Sequence, residues 1–254
     1  MTARTLARVL GLALAAATGG AAAATHINVV DCAVRSDYSL RTADGALLLR
    51  RTDGLPREIR LQDGRLWLDG REQSVPAEDR ERLRHIEREA DAMLAEARAM
   101  AEEGVTMALD AMLLVADELG ADPALRAEIE AWRPAIGKAI DRLMQDPEAG
   151  EKELDQELDR LVSGLVPQIV GKLAAAATAA ALSGEEQAAR ELGQRAEAMG
   201  KRIGAEMEAR GKALEERASG LCERLERIDR LESGLGLRLP DGSPLDLVRV
   251  KRAP

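Results

Sequence analysis

The sequence predicts an α+β fold, mostly α, in which a small N-terminal antiparallel β-meander packs on a bundle of long helices. Three observations carry this expectation. Asp-Gly occurs four times between Thr42 and Gly70, and each pair marks a tight turn between short strands. From Ala77 onward, apolar residues recur at helical spacing. Aromatic residues are nearly absent (Tyr38, Trp67, Trp132 and no Phe), while Ala, Leu, Glu and Arg dominate, as in long helices.

The chain opens with the parts of a secretory signal in order. Arg4 and Arg8 form a basic start, Val9 to Ala17 is a short apolar run, and Ala21 to Ala24 offer the small residues that signal peptidase needs. The run is too short for an anchor. Cys32 follows Val-Val-Asp rather than a lipobox, and no arginine pair indicates twin-arginine export. Residues 1–24 are therefore read as a signal peptide and the mature protein as periplasmic. Losing Arg4 and Arg8 leaves a formal charge of −11. An acidic chain without a basic stripe is a poor nucleic-acid binder, because that affinity comes from Lys and Arg on phosphates.

The β module is expected over residues 25–76. An Asp-Gly type I′ turn needs positive φ at both central residues, which Gly takes freely and Asp tolerates. Centred on Asp63-Gly64, such a turn pairs Leu61 with Leu66 and Ile59 with Leu68, so four apolar residues share one face. Arg60 then stands opposite Trp67 on the other face, placed for a cation–π contact. Around Asp44-Gly45 the same construction gathers Leu40, Leu47 and Leu49. Asp53-Gly54 with Pro56 joins the two hairpins. Asp69-Gly70 fits less well, since it sets Leu68 opposite Arg71, and a looser turn is expected there. So small a sheet must cover its apolar face with something else.

The helical region is expected over 77–232. In the first helix, Leu83, Ile86, Ala90, Met93 and Ala97 begin a stripe that continues to Leu119, with burial toward Val105–Ala116. Asp122-Pro123 and Asp146-Pro147 each read as an N-cap followed by proline at the first helical position. They start helices near Pro123–Met144, kinked at Pro134, and Pro147–Val166. Pro167 is expected to restart the chain into QIVGKLAAAATAAAL. That run is short for a membrane span and carries Lys172, so it is read as a buried core helix, with no transmembrane span. Ser183 and Glu186 form a capping box for a last helix reaching Glu232, and residues 233–254 form a C-terminal hairpin or tail around Asp241-Gly242.

On the last helix, Gly193, Gly200, Gly204 and Gly211 fall within about 20° of one line at 100° per residue. An interior glycine costs about 1 kcal/mol relative to alanine, so the line predicts a packing groove in which another element approaches closely. Met207, Leu214, Leu221 and Ile228 repeat every seven residues beside it, giving the helix a coiled-coil-like seam. Ala218 and Cys222 continue the glycine line.

Cys32 and Cys222 are the only cysteines. In an exported chain this pair reads as one disulfide, the alternative being two buried thiols. Together, the early cysteine with its short strands, DGRLWLDGREQSV before a charged helix, and RASGLCERLERIDRLESGL resemble the YggN-like family of periplasmic proteins of Gram-negative bacteria. The resemblance implies the same compartment and the same cysteine pairing. That family is of unknown function and supplies no catalytic residue.

His85 stands four residues from both Glu81 and Glu89, a helical face more consistent with a solvated surface than with a metal site. His26 becomes a weak copper candidate only if cleavage falls after Ala23, which would place it third in the chain. No nucleophile elbow, phosphate loop, H-E-x-x-H or C-x-x-C motif is present, and no cofactor is implied. The reading that results is a non-catalytic binding or structural protein of the cell envelope, whose partner is another envelope protein or a second copy. The alternatives are a lipid or membrane-surface binder and a hydrolase with a dispersed carboxylate site. N-terminal sequencing of the exported protein should show removal of the first 23 to 25 residues; an intact Met1 would overturn the signal assignment.

Overall fold

The computed structural model describes residues 25–29, 32–118, 120, 123–182 and 186–252. The signal peptide, the Asp122 cap and Ser183 of the capping box lie outside them. The strands are β1 (Thr25–Val29), β2 (Cys32–Ser36), β3 (Ser39–Ala43), β4 (Ala46–Arg50), β5 (Glu58–Gln62), β6 (Arg65–Leu68) and β7 (Arg71–Glu72). Four helices follow: α1 (Ala77–Glu118), α2 (Pro123–Gln145), α3 (Pro147–Leu182) and α4 (Glu186–Ser233). A last strand, β8 (Arg249–Arg252), comes after them. The fold is α+β and mostly α, as expected.

The Asp-Gly turns form as their chemistry requires. Asp44, Asp63 and Asp69 take φ of 53°, 55° and 48°, and each following glycine is also left-handed. Leu61 pairs with Leu66, Ile59 with Leu68 and Arg60 with Trp67, and Leu40 pairs with Leu49. The turn at Asp69-Gly70 is as tight as the others, pairing Leu68 with Arg71, which corrects the looser turn expected there. Arg71 sits on an exposed edge strand, so its position costs little burial. The Asp69 carboxylate also fixes the turn by accepting the N–H groups of Arg57 and Glu58.

The β region is two sheets rather than one meander. Strands β3 to β7 form a five-stranded sheet in sequence order, while β1, β2 and β8 form a separate three-stranded sheet. The C-terminal tail thus returns to pair with β2, with Cys32 opposite Arg252 and Val34 opposite Val250. Its own hairpin at Asp241-Gly242 is reduced to a single bridge between Arg238 and Pro244.

The described residues divide into two compact units. Unit 1 takes in those up to Ala97 and from Leu214 onward, and unit 2 those from Arg98 to Ala213. Helices α1 and α4 each contribute to both.

In unit 1 the inner face of the five-stranded sheet (Leu47, Leu49, Ile59, Leu61, Leu66, Leu68) is buried, as are Leu83, Ile86 and Ala90 of α1. Helix α1 is fixed to the sheet at one turn. Glu87 accepts the N–H groups of Asp63 and Gly64, and a Cβ at position 64 would lie 2.5 Å from the Arg80 carbonyl oxygen. Only glycine permits that approach. Along the rest of α1, Glu89 bonds Arg224 and Arg227, and Glu96 bonds Arg217.

A disulfide ties β2 to α4, and carboxylates hold the tail. Cys32 is bonded to Cys222, across 190 residues of chain. Glu232, 4% exposed, accepts the N–H groups of Leu247 at 2.8 Å and Val248 at 3.2 Å. Asp229 accepts that of Val250, and Asp79 that of Gly236. Ser36 Oγ donates to the Leu247 carbonyl.

In unit 2, α2 and α3 form an antiparallel pair, with Gln168 of α3 bonding Glu128 of α2. Leu125, Ile129, Ile136 and Ile140 of α2, Leu161 and Leu165 of α3, and Leu109 and Ala116 of α1 make its core. Helix α3 runs unbroken through Pro167, correcting the expected restart. Pro167 and Ser163 both face outward, so water can take the carbonyl that the proline leaves without an N–H.

Burial pushes the Glu232 carboxyl up from 4.5 to about 8. The two N–H bonds act the other way, and Asp246 and Asp229 add to the rise. The folded protein therefore keeps a proton here that the unfolded chain releases. This contribution to stability is complete below the unfolded value of 4.5 and is lost as pH rises to about 8. Denaturation measured across this interval should show stability falling with pH, and Glu232→Gln should flatten the fall. An unchanged slope in the variant would assign the effect elsewhere.

Candidate functional site

Of the large apolar side chains that are exposed, Val162, Val166, Val170 and Leu182 lie on helix α3 of unit 2, and their exposure follows from how that helix is covered. Helix α3 buries one side, through Leu161 and Leu165, against α2. An adjoining flank, about 120° round the helix, carries Val162, Val166 and Val170 at spacings of four residues, 54%, 40% and 55% exposed. Gln168 lies opposite Glu128, and α2 begins only five residues before that glutamate, at Pro123. Beyond about Lys172, therefore, α3 outruns its partner, and Leu182 is 82% exposed. The expectation of a buried core helix over this run is corrected: only 12% of its most apolar window is buried. By length and composition it is the one helix among the described residues apolar enough to cross a membrane.

The unit 2 stretch of α4 is attached differently. Arg210 bonds Glu103 and Asp110 of α1, Arg202 bonds Glu118, and Arg133 of α2 reaches Thr106 and Asp110. Burial raises the Asp110 carboxyl, but the hydrogen bonds from Arg210 and Arg133 outweigh it and hold the group below the ordinary range. None of the buried core of unit 2 comes from α4 among the described residues. This stretch is a strut held by ion pairs.

That attachment decides the fate of the glycine line. A Cβ at Gly193, Gly200, Gly204 or Gly211 would meet nothing within 4 Å, so the predicted groove has no occupant in this structure. Gly193, Gly200 and Gly204 are exposed, whereas Met199, Ile203 and Met207 are half-buried, so the side of the helix turned inward is not the glycine side. Further along the same line, Ala218 and Cys222 are buried in unit 1, as are Leu214, Leu221 and Ile228 of the seam. The buried part of the line and seam thus lies from Leu214 onward, about the last five turns of α4, with Met207 half-buried before it.

Of the other residues singled out, Cys32 and Cys222 are joined. Arg60 stacks over Trp67, with its guanidinium carbon 5.2 Å from the ring centre. His26 lies in β1 opposite Arg35, and His85 is exposed. The two glutamates beside His85 are committed to arginines, Glu81 to Arg84 and Glu89 to Arg224 and Arg227. No group of three or more His, Cys, Asp or Glu side chains able to hold a metal occurs among the described residues. Sequence reasoning missed the carboxylates of Asp79, Asp229 and Glu232. Their partners are backbone N–H groups of an irregular tail, which leave no periodic mark.

A family model described as a protein of unknown function (DUF2884) matches residues 32–248, from the first cysteine to the end of the carboxylate-held tail. The chain belongs to the DUF2884 family. No curated protein and no solved structure matches it.

Because the glycines face open space, their replacement by alanine removes a helix-propensity cost without introducing a clash. Gly200→Ala and Gly204→Ala should each raise stability by about 0.5–1 kcal/mol, read as a higher melting temperature. A lower one would mean that another surface reaches the line in solution.

Proposed function

We propose that this member of the DUF2884 family is an exported, non-catalytic binding protein of the cell envelope that engages a protein partner through the helices of unit 2. The observation that carries this reading is the exposed apolar side of α3. Val162, Val166 and Val170 form a stripe at four-residue spacing beside the flank that packs on α2, and exposed apolar patches mark interaction surfaces. An amphipathic helix with anchors at such spacing suits a helical partner or a groove. Export rests on the signal-like N-terminus, and the disulfide accords with an oxidising compartment. The YggN-like resemblance agrees with a family of unknown function.

A second reading, binding at a lipid surface, is favoured by the same stretch being long and apolar enough to enter a membrane. Against it, Lys172 is the only charged residue between Leu161 and Leu182, whereas interfacial helices carry a Lys- and Arg-rich polar face.

A photo-crosslinking residue at Val166 should give a discrete protein adduct in the native compartment, which Val162→Glu with Val170→Glu abolishes without lowering the melting temperature. Flotation with liposomes, lost in the same variant, would transfer the site to lipid. An adduct of twice the chain mass, with concentration-dependent sedimentation, would make the partner a second copy. Crosslinks unaffected by the double variant would overturn the assignment to this face.

A further inference from the structure

The tail of unit 1, from Leu235 to Arg252, has little regular structure of its own: one bridge, between Arg238 and Pro244, and the four residues of β8. Side chains of the body grip its backbone instead. Asp79 of α1 accepts the N–H of Gly236, Glu232 of α4 those of Leu247 and Val248, and Asp229 that of Val250. Ser36 of β2 donates to the Leu247 carbonyl. Past these grips, β8 lies along β2 from Arg35 to Cys32.

Glu232 differs from the other grips in its surroundings. It is 4% exposed, and both its carboxyl oxygens are taken by adjacent backbone N–H groups. Asp79 is paired with Arg82 beside the Gly234–Gly236 bend, whereas Glu232 has no ion pair among the described residues. The charges that face it are Asp229 on its own helix and Asp246 on the tail. Arg249 of β8 is near, but it is bonded to Asp246 and also faces Asp37, just after β2. Tyr38, buried, faces the same Asp246. A charge on Glu232 is therefore buried against two acids with two N–H groups to offset it, which disfavours the charged form. The carboxyl is pushed up to about 8.

We propose that the tail is a pH-gated clasp, docked while Glu232 holds a proton and released from β2 as that proton leaves. Undocking removes Asp246 and the buried leucines and gives the carboxylate its water back, so docking and protonation are linked. The docked form is favoured most below 4.5, and its advantage falls by up to about tenfold per pH unit until about 8. The release is local. Cys32–Cys222 keeps β2 on α4 with the tail undocked, and Glu87 keeps α1 on the five-stranded sheet. What opens is the edge of β2 from Cys32 to Arg35 and the sites of Leu245, Leu247 and Val248. For the exported protein proposed above, the pH outside the cell sets whether that edge is covered; the clasp itself does not depend on that reading.

Hydrogen exchange on the full chain, with its disulfide intact, tests the clasp at pH values spanning 4.5 to 8. After correction for intrinsic rates, amides of residues 245–252 should lose protection by up to about tenfold per pH unit. They should also exchange well ahead of those of β5 and β6, because release precedes unfolding. Glu232→Gln cannot ionise and should make tail protection independent of pH. If that variant fails to fold, Asp246→Asn carries the test: with one like charge gone, the fall in protection should level off at a lower pH. One protection factor shared by the tail, β5 and β6 would mean unfolding of the whole unit and overturn the clasp. So would a tail indifferent to pH, or a response that survives Glu232→Gln or is unmoved in Asp246→Asn.

Discussion

Unit 1 exists because chain segments far apart in sequence are held at one place, and the covalent bond between Cys32 and Cys222 is the firmest of those ties. It closes a loop of 190 residues, and a cross-link over that length removes about 5 kcal/mol of denatured-chain entropy in the simplest loop model. Around it, β2 takes β8 as a partner, and three carboxylates receive N–H groups from the tail. These are directional contacts that hold an irregular segment in one conformation. The leucines of the tail (Leu235, Leu237, Leu239, Leu245, Leu247) are buried only because that conformation is fixed.

The two units are built by different physics. Unit 1 joins sheet to helix with small, specific devices: a glycine that admits the α1 backbone, a glutamate on a turn, a buried carboxyl on the tail. Unit 2 has an isoleucine- and leucine-rich core shared by α1, α2 and α3, while its part of α4 is tied by arginines to Glu103, Asp110 and Glu118. Partly exposed ion pairs of this kind contribute little each. The outward aliphatic residues of α3 lie off its contact with α2.

What the sequence disclosed follows the same division. Turn chemistry is local, and the Asp-Gly pairs fixed the register of both hairpins down to Arg60 against Trp67. Helix positions were equally readable, because caps and periodicity act over a few residues. The separation of the β region into two sheets was not: the Asp241-Gly242 turn suggested a hairpin in the tail, whereas β8 pairs with Cys32–Arg35, more than 200 residues away. The glycine line misled for a related reason. Periodicity locates a face without naming its neighbour, and the side of that stretch of α4 turned inward carries Met199, Ile203 and Met207 instead. Pro167 misled because the carbonyl it leaves without an N–H lies on an exposed face, where water can donate to it.

Because unit 1 is assembled from residues on both sides of unit 2, the order in which the chain emerges matters. Residues 98–213 are contiguous and can reach their packed state as soon as they are all present. The three-stranded sheet lacks its β8 edge until Arg249–Arg252 arrive. During synthesis the early strands must wait, with the Cys32 thiol free and the partner edge of β2 open, while the whole intervening unit is made. Long-range pairing of this sort is slow to form and prone to capture by other chains in the interval. The Lys and Arg residues of β8, placed on the last strand to dock, then close the finished sheet with a charged edge that discourages further strands from adding.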